Sequence, residues 1–335
     1  MRDVLVPLEI DLALPPPGSA LCTAAGHSMG TSWSARMVVP AGTGADLDAL
    51  LQRELDEIVA QMSHWEQDSL LARYNRAPAG SWHALPPQFF DVIDFALQVH
   101  EDTGGAYDPA AGALVDLWGF GAQGRYDQAG FYAPSAQDVA AAMARRATAT
   151  PQLDRAGRRL LQPGGAVLDL SSVAKGHAVD RLGHCLARLG IRHYLVEVGG
   201  ELRGAGVKPG GEPWWVEIEG VPDAGSQCKQ AIVALHGLAV ATSGDYRRYF
   251  HHGQRRASHT LDPRTGQPIA NDVASATVVA PTCMAADALS TALTVMGVEP
   301  GLAFADARGI AARFLVRRAG GLVETSTAAW RELLQ

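Results

Sequence analysis

Residues 174–200 read AKGHAVDRLGHCLARLGIRHYLVEVGG and contain the clearest helix-to-strand transition of the chain. The spacing of the apolar residues predicts a helix over residues 174–189. Gly190 is predicted to end it, because glycine readily adopts the left-handed backbone conformation of a helix C-cap. Residues 193–198 are apolar and β-branched enough to predict a strand, which the following Gly-Gly pair terminates.

Further helices and strands flank this stretch in an irregular order. Leu51, Leu55 and Ile58 recur at helical spacing and predict a helix over residues 46–62. The same reasoning predicts helices over residues 89–101, 284–296 and 328–334, and strands over residues 214–219, 231–240, 273–279 and 310–316. Because these strands do not alternate regularly with helices, as they do in a parallel sheet, the pattern favours an α+β fold with a largely antiparallel sheet.

Two segments have no regular apolar pattern. Residues 118–134 are rich in Gly, Tyr and Phe and are predicted to form a surface loop. Residues 1–22 are interrupted by acidic residues and by Pro15–Pro17, so we expect an extended N-terminal arm before a single domain over residues 23–335. The arm lacks the basic start and unbroken apolar run of a secretion signal. This predicts a cytoplasmic protein, or a periplasmic one if the sequence is a processed form.

Charge and composition exclude several classes of function. The 335 residues carry a formal net charge of −7, which argues against nucleic-acid binding because that relies on a basic surface. The basic pairs Arg247–Arg248 and Arg255–Arg256 are short and indicate a local anion contact or solvated surface. No apolar run is long enough to cross a bilayer. The four cysteines lack zinc-site spacing, so neither a structural zinc site nor disulfides are expected.

The strongest local signal for chemistry is DLSSVAKG, residues 169–176, which follows an apolar segment and opens the helix predicted above. The start of a helix offers unpaired N–H groups and a partial positive charge, which suit a phosphate group. Lys175 adds a full charge, and Ser172 can offer an oxygen to a hard cation. The alternative is that Ser171 or Ser172 is only a helix N-cap and that Lys175 is solvated.

A second signal lies in the predicted helix 284–296. Asp287 and Thr291 are four residues apart and therefore share one helix face. A carboxylate and a hydroxyl are oxygen ligands of the kind that suits Mg²⁺ bound to phosphate. The alternative is a simple Asp–Thr hydrogen bond on an exposed face. The apolar neighbours of Asp287 favour burial, however, and a buried carboxylate needs a partner.

Other segments add candidate binding and proton-transfer groups. His259 precedes the turn sequence Asp-Pro-x-x-Gly, and histidine is suited to proton removal near neutral pH. Gly105-Ala106-Tyr107-Asp108 would let the backbone approach a flat ring, on which Tyr107 could pack, although a helix-terminating turn has the same composition. Met29 and Trp65 are of types that can cover a ring, though each is more often a core residue.

These segments, in this order, resemble the FAD:protein FMN transferase family, also called the ApbE family. The resemblance covers the chain from about residue 29 to its end. The matching pieces are MGTSWSARM (29–37), MSHWEQDSLLARYN (62–75), GGAYDPAAGALVDLWGFG (104–121), LDLSSVAKGHAVD (168–180), YLVEVGGEL (194–202), ATSGDYRRYF (241–250), SHTLDPRTGQPI (258–269) and MAADALSTALTVMG (284–297).

The resemblance implies a fold and residue roles. The implied fold is a duplicated T-fold of α+β type, with the active site in the cleft between its two halves. Ser172, through its main-chain oxygen, Asp287 and Thr291 would bind Mg²⁺ or Mn²⁺, and His259 would be the general base. The residues implied to contact FAD are Met29, Trp65, Ala106, Tyr107, Asp108, Asp169, Lys175 and Leu261.

The implied reaction is a Mg²⁺-dependent transfer of FMN from FAD to a threonine or serine hydroxyl of an acceptor flavoprotein, with release of AMP. The acceptor is expected to carry a segment like Asp-Gly-x-Ser/Thr-Gly-Ala-Thr, which this chain itself lacks. One alternative is an FAD pyrophosphatase that gives FMN and AMP. Another is a non-catalytic FAD-binding or delivery protein, against which His259, Asp287 and Thr291 argue because storage needs neither a base nor a metal.

Overall fold

The computed structural model describes residues 3–11, 13–123, 125–222, 230–253 and 255–334. The chain divides into two compact units. Unit 1 comprises Met1–Glu57, Lys175–Gly244 and Asp272–Gln335, and unit 2 comprises Ile58–Ala174 and Asp245–Asn271. The assignment of residues 23–335 to a single domain, after an arm over residues 1–22, stays a prediction.

Nine helices lie in the described residues, and the five that the sequence predicts are among them. They are α1 (Leu47–Met62), α2 (Leu70–Asn75), α3 (Pro87–Asp102), α4 (Gly112–Leu117), α5 (Ala136–Ala147), α6 (Ala174–Arg188), α7 (Cys283–Met296), α8 (Val298–Asp306) and α9 (Ala328–Glu332). Leu51, Leu55 and Ile58 of α1 are fully buried, as their spacing predicts. Burying each such side chain stabilises the fold by about 1.5–3 kcal/mol.

The strands in the described residues are short and numerous. They are β1 (Asp3–Leu5), β2 (Ala20–Ser28), β3 (Thr31–Val39), β4 (Ser81–Ala84), β5 (Gln152–Asp154), β6 (Arg159–Gln162), β7 (Tyr194–Val198), β8 (Glu201–Ala205), β9 (Trp214–Ile218), β10 (Ala231–Leu235), β11 (Leu238–Gly244), β12 (Tyr249–His252), β13 (Arg255–Ser258), β14 (Leu261–Asp262), β15 (Gln267–Pro268), β16 (Val273–Ala280), β17 (Ala311–Arg318) and β18 (Gly321–Ser326).

Unit 1 is built on an eight-stranded sheet in the order β18-β17-β16-β11-β8-β7-β3-β2. Every neighbouring pair in it is antiparallel, which confirms the α+β prediction with a large antiparallel sheet. All eight residues of β16 are buried, as expected for a central strand covered on both faces. Helices α7 and α8 pack on this part of the sheet through Ala286, Leu293 and Ala305.

A second sheet of unit 1 has the order β1-β10-β9, in which β1 and β10 are parallel. The prediction of one continuous strand over residues 231–240 is wrong, because Gly237 interrupts that segment with a φ of 74°. The first part becomes β10 of the small sheet and the second part β11 of the large one. Glycine adopts a positive φ without steric cost, so the chain can turn sharply between the two sheets.

Unit 2 contains α2 to α5 and three small strand groups, in the orders β4-β6-β5, β12-β13 and β14-β15. The described part of the predicted loop 118–134 contains no helix or strand, and Gly124 lies outside the described residues. The loop is not a surface feature throughout, because Trp118 and Phe120 are buried in a core cluster with Leu114 and Leu261. Both side chains carry large apolar rings, so they pack in the core instead of facing solvent as a surface loop would.

None of the helices in the described residues is both long and apolar enough to span a membrane.

Candidate functional site

The predicted metal-binding carboxylate, Asp287, is buried where α7 meets the start of α6 in unit 1. Its side chain is 4% exposed, and its Oδ2 accepts a hydrogen bond from the N–H of Gly176 at 2.9 Å. A Cβ atom on Gly176 would lie 2.3 Å from the carbonyl oxygen of Cys283. The glycine is therefore required for the two helices to approach so closely.

Asp180 fixes the beginning of α7 from its position on α6. Its Oδ1 accepts the N–H of Cys283 at 3.0 Å, and its Oδ2 accepts the N–H of Met284 at 2.9 Å. A guanidinium nitrogen of Arg203 lies 2.5 Å from the same carboxylate. The first N–H groups of a helix have no partner within the helix, so this buried carboxylate satisfies them. The sequence analysis missed Asp180, because only the fold brings it to α7.

Thr291 lies one turn after Asp287 on α7 and is partly buried, so the expected common face is present. Ser172, the third expected metal ligand, belongs to unit 2 and lies two residues before α6. In the described residues no group of three or more His, Cys, Asp or Glu side chains is placed to hold a metal ion. The predicted Mg²⁺ ligands do not form such a group, because they are one carboxylate, one hydroxyl and one main-chain oxygen.

Lys175 pairs with Glu201, which follows the Gly-Gly turn after β7. The lysine Nζ contacts Oε1 of Glu201, and the glutamate side chain is 4% exposed against 28% for the lysine. A buried carboxylate is stable only with a charged or hydrogen-bonding partner, and Lys175 provides one. Glu201 therefore orients the ammonium group that the sequence predicts to contact FAD. This role of Glu201 had no sequence signal beyond its place in YLVEVGGEL.

Met29 lies in the two-residue turn between β2 and β3 of unit 1. Its φ is 52° and that of Gly30 is 73°. A pair of positive φ values is typical of a tight hairpin turn. A non-glycine residue in this region carries strain of about 1–2 kcal/mol, and such strain is concentrated at functional sites. The backbone is thus consistent with a special role of Met29.

In unit 2, Asp169 stands in a small polar cluster that the sequence analysis did not identify. Its Oδ1 accepts the N–H of Ser171 at 2.8 Å, and His64 Nδ1 lies 3.8 Å from the same oxygen. Asp116 is the third member. Burial raises the pKa of Asp116, the negative charge of Asp169 raises it further, and hydrogen bonding from Gln123 together with His64 opposes the rise.

Trp65 extends this cluster towards solvent. The side chain is 44% exposed, and its ring centroid lies 5.2 Å from that of His64. The guanidinium carbon of Arg125 is 5.9 Å from the tryptophan ring. An exposed indole beside a histidine and an arginine is available to stack on a planar ligand.

Of the expected flavin-lining residues after the end of α3, Ala106 and Tyr107 are buried and Asp108 is partly buried. Ala106 and Tyr107 are 1% and 2% exposed. The Asp108 carboxylate lies 2.5 Å from Arg146 and accepts the N–H of Ala110 at 2.8 Å. These contacts hold the turn in place and fit its alternative interpretation as a helix-terminating turn as well as a binding role.

His259, the expected general base, is held by the main chain of Arg248 in unit 2. Its N–H donates to the Arg248 carbonyl at 3.0 Å, and its ring Nδ1 lies 3.2 Å from the same oxygen. A carbonyl oxygen only accepts hydrogen bonds, so Nδ1 carries a hydrogen and, in the neutral ring, Nε2 carries the lone pair. Leu261, two residues later, is 7% exposed and belongs to the core cluster around Trp118.

Comparison with known proteins places the chain in context. The sequence profile of the ApbE family matches residues 29–314. A curated protein named FAD:protein FMN transferase from Vibrio cholerae is 37% identical over 313 residues, which cover 92% of this chain and 91% of that protein. Its namesake from Klebsiella pneumoniae is 35% identical, over 95% of this chain and 91% of that protein.

Solved structures agree with the sequence comparison. The apo crystal structure of the Pseudomonas stutzeri flavinyl transferase ApbE superposes with a TM-score of 0.84 at 40% identity, covering 94% of this chain and 97% of that one. The flavin transferase ApbE from Vibrio cholerae gives a TM-score of 0.84 at 34% identity, covering 94% and 100%. The resemblance found in the sequence is confirmed, and the chain belongs to the ApbE family.

Proposed function

We propose that this protein is a transferase that moves FMN from FAD to a threonine or serine hydroxyl of an acceptor flavoprotein and releases AMP. The observation that carries the proposal is the match, over nine-tenths of the chain, to relatives named FAD:protein FMN transferase. The acceptor would present its hydroxyl in a segment like Asp-Gly-x-Ser/Thr-Gly-Ala-Thr.

His259 is the base in this proposal. Nε2 is the ring nitrogen with the lone pair, because Nδ1 donates to the Arg248 carbonyl. An unactivated hydroxyl is a weak nucleophile, so removal of its proton by Nε2 as the oxygen attacks the FMN-side phosphorus accelerates the reaction. The bond that forms joins the acceptor oxygen to phosphorus, and the bond that breaks releases AMP.

Asp287 and Thr291 fit a hard divalent cation, with the Ser172 main-chain oxygen as a further ligand. The Asp287 carboxylate is buried in an apolar helix, where a negative charge is costly without a cationic or hydrogen-bonding partner. The donors are oxygens, which Mg²⁺ and Mn²⁺ prefer. When bound, such an ion would neutralise charge on the FAD pyrophosphate and improve AMP as a leaving group.

The remaining residues bind and orient FAD. Lys175, positioned by Glu201, supplies a positive charge at the first turn of α6, where main-chain N–H groups also favour phosphate. Trp65 and Met29 offer surfaces for the flavin ring. Further FAD contacts are assigned to Ala106, Tyr107, Asp108, Asp169 and Leu261.

The finer architecture is also a proposal. A duplicated T-fold, with the active site in a cleft between its two halves, is supported by the large antiparallel sheet of unit 1 and by the likeness to ApbE crystal structures.

The decisive experiment is an incubation of the protein with FAD, Mg²⁺ and an acceptor domain that carries the Asp-Gly-x-Ser/Thr-Gly-Ala-Thr-like segment. Intact mass spectrometry of the acceptor, with chromatography of the nucleotides, is the measurement. A mass gain equal to FMN with release of AMP supports the transferase. Free FMN and AMP without any mass gain favour the pyrophosphatase, and bound but unconverted FAD favours a delivery protein.

A further inference from the structure

The hairpin formed by β12 and β13 concentrates positive charge in an otherwise acidic chain. Residues 245–259 contain four arginines and one aspartate, whereas the whole chain has a net charge of −7. Arg247, Arg248 and His251 are exposed. The reaction proposed above assigns no role to these side chains.

Strand register gives the hairpin two different faces. Phe250 pairs with Ala257, and His251 pairs with Arg256. Side chains alternate along a strand, and paired residues of an antiparallel ladder share a face. Phe250 and Ala257 therefore form one apolar face, whereas Tyr249, His251 and Arg256 lie together on the opposite one. Arg247 and Arg248 are exposed and lie just before β12, outside this ladder. We refer to the three residues of the ladder face, with these two arginines, as the basic face.

The apolar face anchors the hairpin on an aromatic cluster of unit 2. The ring of Phe250 stacks on Tyr126 at 5.8 Å between centroids and lies 5.7 Å from Phe120. Phe120 also meets the His259 ring edge-on at 6.3 Å. Phe250 of the hairpin and the His259 ring thus pack against the same side chain, Phe120, which fixes the position of the basic face relative to His259.

The basic face is organised before any partner binds. The guanidinium carbon of Arg256 lies 4.2 Å from the Tyr249 ring centroid, within cation–π distance. The His251 ring meets the same tyrosine edge-on at 5.6 Å. Ordered arginine and tyrosine side chains lose little entropy on binding, and both residue types are enriched at protein interfaces.

Two carboxylates, those of Asp245 and Asp127, lie near the basic face. Asp245 lies 3.8 Å from Arg256. The pKa of Asp127 is lowered first of all by its hydrogen bond with Arg125, and also by the positive charge of Arg248. By sequence, residues 245–259 carry four arginines against one aspartate, so the formal charge of this segment is positive.

The main chain of Arg248 connects this surface directly to the proposed base. Its carbonyl oxygen accepts the N–H of His259 at 3.0 Å. A partner that binds the Arg248 side chain is thereby brought next to His259. A positive surface beside the base suits a negatively charged partner, because complementary charge steers association and fixes orientation.

We propose that the basic face is the docking surface for an acidic segment of the acceptor protein, adjacent to the hydroxyl that receives FMN. The proposal rests on the transferase function and specifies how the acceptor is recognised. Acidic residues near the target hydroxyl pair with Arg247 and Arg248, while Tyr249 and Arg256 contact the acceptor backbone and side chains.

The test compares two fluorescent acceptor peptides with the same target segment, one flanked by Asp and Glu and the other by Asn and Gln. Binding is followed by fluorescence anisotropy and transfer by mass, at low and high salt. The variants are Arg247→Glu/Arg248→Glu and the charge-conserving Arg247→Lys/Arg248→Lys. Arg73→Glu, at another exposed arginine of unit 2, is the matched control.

We expect the charge reversal to weaken binding of the acidic peptide by about tenfold, since each exposed ion pair has a several-fold effect. Binding of the neutral peptide, the KM for FAD and the Arg73→Glu control should change little, and high salt should remove the difference. Equal loss for both peptides, or a rise in the KM for FAD alone, overturns the proposal. In the latter case the arginines contact the FAD phosphates.

Failure of this inference and failure of the transferase function give different results. If the parent protein binds the acidic peptide through the arginines but transfers no FMN, the docking surface stands and the proposed reaction is wrong. If FMN is transferred and the charge reversal changes neither binding nor KM for the acceptor, the reaction stands and the docking surface is wrong.

Discussion

The N–H of Gly176 donates a 2.9 Å hydrogen bond to Oδ2 of Asp287 across a separation of 111 residues. The residue that follows the predicted FAD-binding lysine thus orients the predicted metal-binding carboxylate. The predicted phosphate-binding helix start and the predicted metal ligand are thus connected through one glycine.

Gly176→Ala tests this close approach. Alanine favours a helix over glycine by about 1 kcal/mol, but its Cβ would lie 2.3 Å from the Cys283 carbonyl oxygen. The overlap outweighs the propensity gain, so we expect a net loss of about 1–3 kcal/mol in the free energy of unfolding. Chemical denaturation measures it. Gly210→Ala, where the new Cβ meets nothing within 4 Å, should be tolerated, and equal stability of both variants contradicts the close-packing argument.

Asp287→Asn and Thr291→Val should each weaken metal dependence. Asparagine can still accept the Gly176 N–H but has no charge, and valine removes only the hydroxyl. We expect the Mg²⁺ concentration for half-maximal AMP release to rise by at least about tenfold in each variant. Thr294→Val on the same helix, whose hydroxyl donates to the Ser290 carbonyl at 2.8 Å, is the control. Unchanged Mg²⁺ titrations for the first two variants would place the metal elsewhere.

Asp180→Asn should destabilise the protein more than an ordinary surface change. The substitution leaves the partly buried Arg203 guanidinium without its carboxylate and weakens the cap on α7. Breaking a fully buried ion pair on one side costs about 3–5 kcal/mol, and we expect a smaller loss here because Arg203 is partly exposed. Denaturant unfolding of Asp180→Asn, Arg203→Met and the double variant forms a mutant cycle. Additive effects in that cycle would show that the two side chains do not interact.

His259→Gln should lower kcat while FAD still binds. General-base catalysis contributes about 10²–10⁴-fold, so we expect a loss in that range with a nearly unchanged Kd for FAD. Single-turnover transfer and a flavin fluorescence titration are the two measurements. His236→Gln is the control, because its Nδ1 likewise lies 3.0 Å from a carbonyl oxygen, that of Gly206. Full activity in His259→Gln would assign the base to another group.

His177 should make stability depend on pH. Burial lowers its pKa from 6.5 to about 4, and Asp180 only partly opposes this. The unfolded chain therefore binds more protons between these values, so stability is complete above pH 6.5 and falls as the pH drops towards 4. About 2 kcal/mol should be lost at pH 5. Unfolding of the parent and His177→Gln at pH 7 and pH 5 measures it, and an equal loss in both would exclude His177 as the cause.

Local pattern predicted five of the nine helices in the described residues, and five strand segments that correspond to β7, β9, β10 with β11, β16 and β17. Leu51, Leu55 and Ile58 predict α1 because burial of one face follows directly from helical spacing. The order of short segments, from MGTSWSARM to MAADALSTALTVMG, was sufficient for the family. Residues 231–240 show the limit, because their apolar pattern does not reveal that Gly237 turns the chain from one sheet into another.

The sequence by itself determined the family, the types of residue available for chemistry and those helices and strands that have a clear apolar pattern. Only the tertiary structure decided which of them meet: Asp180 at the start of α7, Glu201 at Lys175, His64 and Asp116 near Asp169, and Arg248 at His259. The reason is physical. Helical and strand periodicity are local properties of the chain, whereas a buried carboxylate is stabilised by whichever donor the packing of distant segments brings within hydrogen-bond distance.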